Sequence, residues 1–345
     1  MSALLNRTAA YVWILSAFLP LVLSVRAFGQ DEAVNYRFMF YNAENLFDTF
    51  DDPAIDDDEY TPEGELQWSF TRYRKKLNNL ARVITAAGEW QHPDLIGLCE
   101  VENFQVLMDL TTQTPLKNVG FRIIHENSPD RRGIDVAMLY KPEKITLLSQ
   151  KLLPVGDSVT WTSRDMLMCM FGIEKDTLFV IACHWPSRSG GAASSAPRRD
   201  AAAHILWQAV DSLQHIYNEP KILMMGDFND EPVDNSLAVV LRAVKFTNNP
   251  APNKLFNLSF VDQDAGRGTL VHTEINKTWY VFDQIIVSGA LLNNNELTVK
   301  PPKTLIYRQD WLIQNGRPFR THQGPRYLGG FSDHLPIFID LCIIP

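Results

Sequence analysis

The chain has 345 residues, 46% of them hydrophobic and 21% charged, with a formal net charge of −8. This composition excludes a disordered, collagen-like or coiled-coil chain, no repeat at a fixed period stands out, and the length suits one large domain or two small ones. The acidic balance also excludes recognition of polyanions through the overall field, so any phosphate recognition must be local.

Arg7 precedes a mostly apolar stretch, Ala9 to Val25, followed by Arg-Ala-Phe-Gly before Gln30. A basic start, an apolar middle and small residues at Ala27 and Gly29 predict a cleavable secretory signal peptide over residues 1–29. Ser16 and Pro20 interrupt the stretch, which is short for a span, so no stable membrane anchor is expected. The mature domain is then 30–345, secreted or periplasmic. Loss of residues 1–29 removes two arginines, Arg7 and Arg26, and no acid, which moves the formal charge from −8 to −10.

Short apolar runs with strand character follow in order: 36–41, 94–99, 121–125, 135–140, 166–173, 178–183, 221–225, 282–287 and 335–341. Their β-branched, aromatic and aliphatic content suits strands buried on at least one face. Helical spacing of Tyr73, Leu77, Leu80 and Ile84 predicts a helix from about Thr71 to Glu89. A second helix is expected to begin near Pro197, with Ser195 as its cap. Residues 48–67 read as a solvated acidic loop without EF-hand spacing. Residues 300–330 hold Lys300, Lys303, Arg308, Arg317, Arg320 and Arg326 against Asp310 alone. Tyr307, Trp311, Phe319 and Tyr327 are interleaved with them. Such a segment would track a phosphate backbone and its aromatics would stack on bases, although aromatics in a loop more often anchor it to the core. Cys99, Cys169, Cys183 and Cys342 are widely separated within apolar runs and read as buried thiols. No linker-like break divides the chain.

Polar residues gather where these runs end. Asn42 and Glu44 follow the first, Glu100 the second, His184 the sixth, and Asp227 and Asn229 the seventh, in GDFND. Asp333 and His334 precede the last. A carboxylate after a strand is usually a turn residue and a lone histidine usually a satisfied core group, so the joint occurrence carries the weight. The oxygen-rich set suits Mg²⁺ or Mn²⁺. No HExxH, paired-cysteine, GxSxG or P-loop pattern is present. Arg188 lies after His184, and Arg199 follows at the start of the expected helix, where a cation opposes the helix dipole. With the small-residue loop between them they would grip a phosphate; solvated surface arginines are the bland alternative.

YNAENLFD, DLIGLCEVEN, CHWPSRSGG, GDFND, FDQIIVS and FSDHLP occur in this order. Together they resemble the endonuclease/exonuclease/phosphatase superfamily, which includes pancreatic-type deoxyribonuclease, abasic-site endonucleases and bacterial sphingomyelinases. The resemblance covers about residues 36–345, and the loop DDEYTPEGELQW and the HWPSRSGG segment look closest to a secreted bacterial branch. It implies a four-layer α/β/β/α sandwich, two packed mixed sheets flanked by helices. It also implies a metal-dependent phosphoric ester hydrolase. Glu100 would be the principal metal ligand, with Glu44 beside it, Asp333 as a further carboxylate, and Asn42 positioning Glu100 or phosphate. Asp227 would orient or deprotonate the attacking water, Asn229 would hold a phosphate oxygen, and His334 would face the phosphorus with Asp283 behind it. His184 matches a second histidine of the deoxyribonuclease and sphingomyelinase branches, and Asp135 in a neighbouring strand would serve it. Many members carry Asn where this chain has Cys183.

The expected activity is phosphodiester hydrolysis by direct water attack, with a nucleic acid favoured as substrate and no protein partner implied. A lipid-headgroup or small phosphate-ester hydrolase is the alternative. A non-catalytic module that keeps the fold is a third reading.

Overall fold

The computed structural model describes residues 35–89, 91–156, 161–271, 278–293 and 296–344. The segment expected to be a signal peptide lies outside them.

Alternation of side chains along extended strands determines the layers. In β1 (Asn35–Leu46), Phe38 and Phe40 point to one side and Met39 and Tyr41 to the other, and all four are buried. A strand buried on both faces must be covered twice. β1 pairs in parallel with β2 (Leu95–Val101). β3 (Arg122–His125) and β4 (Asp135–Tyr140) complete that flank of the first sheet.

The second sheet is built from β5 (Thr146–Leu153), β6 (Met166–Ile173), β7 (Asp176–His184) and β8 (Lys221–Asp227). β9 (Ala243–Lys245), β10 (Leu255–Asn257) and β11 (Asp283–Ser288) continue it, giving the order β5-β6-β7-β8-β11-β10-β9. β12 (Leu297–Val299), β13 (Leu305–Ile306) and β14 (Ile337–Ile343) return to the first sheet, whose order is β12-β14-β1-β2-β4-β3, with β13 also on β14. Both sheets are mixed: β1–β2, β7–β8 and β9–β10 are parallel, and the other pairs are antiparallel.

Phe38, Phe40, Met138, Phe171, Val180, Leu223, Met225, Ile285 and Ile339 fill the space between the sheets. The outer face of the first sheet is covered by α1 (Phe70–Ala87) and α2 (Phe104–Thr112), through Leu77, Leu80, Ile84, Leu107 and Leu110. α3 (Ala192–Ile216) covers the second with Ala202, Leu206, Val210 and Leu213. This is the expected helix–sheet–sheet–helix sandwich. All four cysteines are buried and unpaired. Among the described residues no helix is long and apolar enough to cross a membrane.

Every expected strand is present, and several run further, taking Asn42, Glu44, Glu100, His184 and Asp227 into the strand ends themselves. The expectations differ from the structure in several places. α3 starts at Ala192, capped by Gly191 and not Ser195, and the Ser195 hydroxyl instead donates back to the Gly191 carbonyl at 2.7 Å. β5 was not anticipated, because an edge strand exposed along Ser149, Gln150 and Lys151 lacks an apolar run. Of the two readings of the aromatic residues of 300–330, the structure shows the anchoring one: Tyr307, Trp311, Phe319 and Tyr327 are partly buried and pack against the core under α1. The Arg82 and Arg72 guanidinium groups lie 4.4 and 4.6 Å from the Trp311 and Tyr327 ring centroids. The acidic loop is likewise anchored, by Phe47 stacked on Tyr60 at 4.1 Å and by buried Asp57.

The approach of β7 to β8 is set by Gly226. A Cβ there would stand 2.4 Å from the Cys183 carbonyl oxygen and 2.7 Å from its Cβ. Gly226→Ala should therefore force apart the strands that end in His184 and Asp227, costing about 1–3 kcal/mol and lowering the melting temperature by roughly 3–10 °C. Gly97→Ala meets the flexible Met225 side chain first and should cost less. Calorimetry on both variants checks the order, and equal melting points would show that the strand approach is not the constraint.

Candidate active site

β1, β2, β7 and β8 point their C-terminal ends the same way. Asp283 opens antiparallel β11 directly beside Asp227, and His184 is in register with Asp227 across β7–β8. One end of the sandwich thus collects residues from both sheets.

Two strands reach this end through irregular backbone. Glu44, Asn45 and Glu100 have φ of 50°, 54° and 58°, and the β1–β2 register shifts between Asn42 and Leu46. Positive φ on residues with a Cβ is uncommon and gathers at bulges and functional sites. Here it allows Asn42, Glu44 and Glu100 to face the same end although strict alternation would not bring them together.

Asn42 is fully buried and ties the sheets to each other. Its Nδ2 donates to Glu100 Oε1 at 3.1 Å and to Asp227 Oδ2 at 3.3 Å, and its Oδ1 accepts from the Glu44 amide at 2.8 Å. Glu100 Oε2 accepts from the Asn45 amide at 3.0 Å, and its side chain keeps 16% of its surface. Asp227 Oδ1 accepts from the Asn229 amide at 3.0 Å. Its Oδ2 stands 3.8 Å from Nε2 of both His184 and His334.

His334 Nδ1 and Asp283 Oδ2 are 2.6 Å apart in a buried pair. The Ser332 hydroxyl supports the turn, accepting from the His334 amide at 3.1 Å and donating to the Asn42 carbonyl at 2.8 Å. Burial alone would lower the His334 pKa, but Asp283 and Asp227 outweigh it and hold it well above the usual value. Burial pushes the Asp227 carboxyl up, against the pull of His334. His184 goes the other way, lowered well below its usual value by burial and by the nearby Arg164 and Arg132. These opposed shifts mark a site where two imidazoles hold different charge states near neutrality.

Four expected roles are placed differently. Asp135 does not serve His184: its Oδ2 lies 3.0 Å from His125 Nε2, its Oδ1 accepts from the Ser128 amide and hydroxyl, and His184 Nδ1 has no hydrogen-bond partner. Adjacent strands of one sheet, β3 and β4, bring Asp135 to His125, whereas His184 is in the other sheet. Arg188 and Arg199 turn inward: both lie on Asp230 Oδ1, at 3.0 and 2.7 Å, and Arg188 also on Asp234 at 2.5 Å. They brace the GDFND turn, with the Arg188 Nε donating to the Asn229 carbonyl at 2.8 Å. Arg320 stands 3.4 Å from Glu44 Oε1 and donates to Asp333 Oδ2 at 2.9 Å, so it belongs to this site and not to a solvated patch.

Sequence reasoning missed Lys76. It lies on α1, only 1% exposed, with Nζ donating to Thr321 Oγ1 at 2.6 Å and the Phe331 carbonyl at 2.7 Å, and 3.7 Å from Glu44 Oε2. Its place on the buried stripe beside Tyr73, Leu77 and Leu80 was the available signal.

Glu100 is the carboxylate best placed for a hard cation: it is oriented by neutral donors, partly accessible and next to Asp227. Glu44 and Asp333 lie beside it but engage Arg320, and Glu44 also accepts from the Thr321 amide at 2.6 Å. Atoms of Asp227, Asp283 and His334 also come close enough to share an ion. The 2.6 Å contact of Asp283 with His334 Nδ1, however, makes those two a hydrogen-bonded pair. The donor set as a whole is dominated by carboxylate oxygen and fits Mg²⁺ or Mn²⁺.

Burial raises the Glu44 carboxyl and lowers the Lys76 ammonium, so each holds its charge only through neighbours. Lys76→Met should destabilise the fold by about 3 kcal/mol, since it leaves a buried carboxylate short of a partner. Lys76→Met with Glu44→Gln should recover more than half of that loss in denaturant titrations. A double variant no more stable than Lys76→Met alone would refute the pairing.

The model of the Endonuclease/Exonuclease/phosphatase family matches residues 37–342. None of the curated proteins compared with the chain matches it. Among solved structures, the D. rerio TDP2 complexed with single strand DNA product is 13% identical, with a TM-score of 0.55, covering 89% of this chain and 98% of that one. The human Nocturnin catalytic domain with bound sulfate anion is 16% identical, TM-score 0.55, covering 90% and 95%. The endonuclease/exonuclease/phosphatase from Bacteroides vulgatus is 15% identical, TM-score 0.55, covering 90% and 100%. At such identities the structures speak for the fold, and the family match across both sheets carries the chemistry. With the motif residues assembled at one end of that fold, the chain belongs to the endonuclease/exonuclease/phosphatase family of phosphoric ester hydrolases.

Proposed function

We propose that the protein is an exported, divalent-metal-dependent phosphodiesterase that cleaves nucleic-acid strands by direct attack of water. The observation that carries this reading is the convergence on Asp227 Oδ2 of His184, His334 and the Asn42 amide, with Glu100 on the same amide. No serine, cysteine or threonine takes a nucleophile's position among the residues gathered here, and a carboxylate lies between two imidazoles.

Asp227, its proton affinity raised by burial, accepts a hydrogen bond from the attacking water and then its proton. His334, held cationic by Asp283, donates from Nε2 to a nonbridging oxygen as negative charge builds there, and the ester P–O bond opposite the water breaks, its leaving oxygen taking a proton from solvent water. Neutral His184 and the Asn229 amide add uncharged donors, and Asn42 keeps Glu100 and Asp227 at fixed separation. Glu100, with a neighbouring carboxylate, would hold the cation, which when bound supplies charge stabilisation to the phosphoryl oxygens. Support for a nucleic-acid substrate comes from the family's chemistry and from a related fold complexed with single strand DNA product.

Hydrolysis should require added Mg²⁺ or Mn²⁺ and cease with EDTA, and Glu100→Gln should raise the metal concentration needed. Full turnover by metal-stripped protein would overturn the assignment. His334→Ala and Asp227→Asn should each lower kcat by about two orders of magnitude or more, measured on protein shown to be folded by circular dichroism. Near wild-type rates in either would mean the centre is elsewhere. A panel of plasmid DNA, RNA, bis-nitrophenyl phosphate, sphingomyelin and inositol phosphates tests the substrate. Sphingomyelin or inositide hydrolysis without cleavage of DNA or RNA would favour the lipid-headgroup or small-ester reading. Export is tested separately: N-terminal sequencing of periplasmic or secreted protein should begin near Gln30, and intact Met1 on cytoplasmic protein would refute it.

A further inference from the structure

Beside the centre lies a cavity of about 390 Å³ walled by Arg131, Arg132, Ser163, Arg164, Ser187 and Arg198, with Asp130 the one carboxylate among the described residues that line it. In a chain of net charge −8, four guanidinium groups gathered in one wall are a local exception. Asp130 is already engaged by Arg164 at 3.2 Å, with Arg132 at 3.8 Å. Arg131 makes an exposed pair with Asp56 at 3.1 Å, of a kind that contributes little and is readily exchanged.

The wall also holds two buried donors without an acceptor. Arg164 is 6% exposed; its Nη1 and Nη2 serve Asp130 and the Trp185 carbonyl, and its Nε has no partner. Ser163 is 2% exposed, and its hydroxyl has no partner either. A buried donor left unmade is costly, and a pair of them beside spare positive charge calls for an anionic acceptor.

The cavity is coupled to the centre through one carbonyl. Trp185 O accepts from Arg164 Nη2 at 2.5 Å and from Asn229 Nδ2 at 3.0 Å, and Trp185 itself follows His184. After burial, Arg164 and Arg132 are also the largest influences that lower the His184 pKa.

Building on the phosphodiesterase reading, we propose that this cavity is a second phosphate site, which takes the phosphate next to the scissile one on a nucleic-acid strand. Trp161, in the same wall with the Arg198 guanidinium 5.8 Å from its ring centroid, favours a strand over an inositol polyphosphate, because an aromatic side chain beside a phosphate site suits a base and not a polyol. The site therefore sets a preference for substrates with a flanking phosphate.

The test uses Arg132→Ala with Arg198→Ala, both exposed, so that the buried Arg164 framework stays intact. Inorganic phosphate is titrated by NMR in EDTA, with chemical shifts followed at Ser163, Arg164 and Ser187. Saturable shifts there should weaken about tenfold or more in the double variant, the worth of one charge-assisted hydrogen bond, and should persist in His334→Ala. In kinetics with metal, a thymidine dinucleotide carrying a terminal phosphate should be cleaved with about tenfold higher kcat/KM than the same dinucleotide without it. That ratio should fall towards one in the double variant. Equal ratios in both proteins, or no shifts with phosphate, would overturn the proposal. A flanking-phosphate preference confined to inositol polyphosphates would overturn the strand assignment. Because phosphate binding in EDTA is read without catalysis, a protein that binds phosphate here yet cleaves no phosphodiester refutes the hydrolase reading and supports the site.

Discussion

The site depends on one buried amide. Asn42 donates from a single nitrogen to Glu100 in the first sheet and to Asp227 in the second, and accepts from the Glu44 backbone with its oxygen. Two carboxylates facing each other across the sheet interface repel, and the shared donor offsets that repulsion and holds them at a fixed distance. The packing of Phe40, Cys99 and Met225 beneath it supplies the rigidity that a hydrogen bond alone does not.

That geometry is reached at the expense of regular backbone. Glu44, Asn45, Glu100 and Asn229 all have left-handed φ, although glycine would relieve the strain at any of them. A glycine has no side chain to aim, however, and three of these four residues present theirs to the centre. The strain is tolerated because both sheets and Lys76 fix the surroundings: Lys76 binds Thr321 and the Phe331 carbonyl behind Glu44, attaching residues 319–331 to α1. The irregular loop that carries Asp333 and His334 is thereby anchored from below.

Where the polar residues gather was legible from sequence because strand ends follow from where apolar runs stop, and Asn42, Glu44, Glu100, His184, Asp227, Asn229, Asp333 and His334 sit at such ends; Asp283, inside an expected run, came only from the family resemblance. What was not legible is which charge meets which. Asp135, Arg188 and Arg199 occupy the right neighbourhood in sequence, but Asp135 meets His125 and the arginines meet Asp230, pairings fixed by register and helix rotation that motif spacing does not encode. Residues 300–330 left two readings of their aromatic side chains open for a related reason. A long irregular segment needs apolar anchors to stay folded, and Trp311, Phe319 and Tyr327 serve as those. The polar edge strand β5 shows the converse: its extended backbone comes from pairing with β6 and not from a hydrophobic pattern.

The two histidines show how one buried site divides acid–base labour. Burial penalises the imidazolium equally in kind at His184 and His334, and both face the same Asp227 oxygen at 3.8 Å. They differ in what stands behind them. His334 has Asp283 at 2.6 Å, which stabilises its cation and fixes the proton on Nδ1 so that Nε2 also carries one. His184 has Arg164 and Arg132 nearby and no carboxylate on Nδ1, so it stays neutral. Had Asp135 been its partner, both rings would be cations competing for Asp227, which would then be a poor acceptor for a water proton. One charged and one neutral imidazole instead leave Asp227 basic enough to act, so the displacement of Asp135 onto His125 is consistent with the chemistry proposed for this centre.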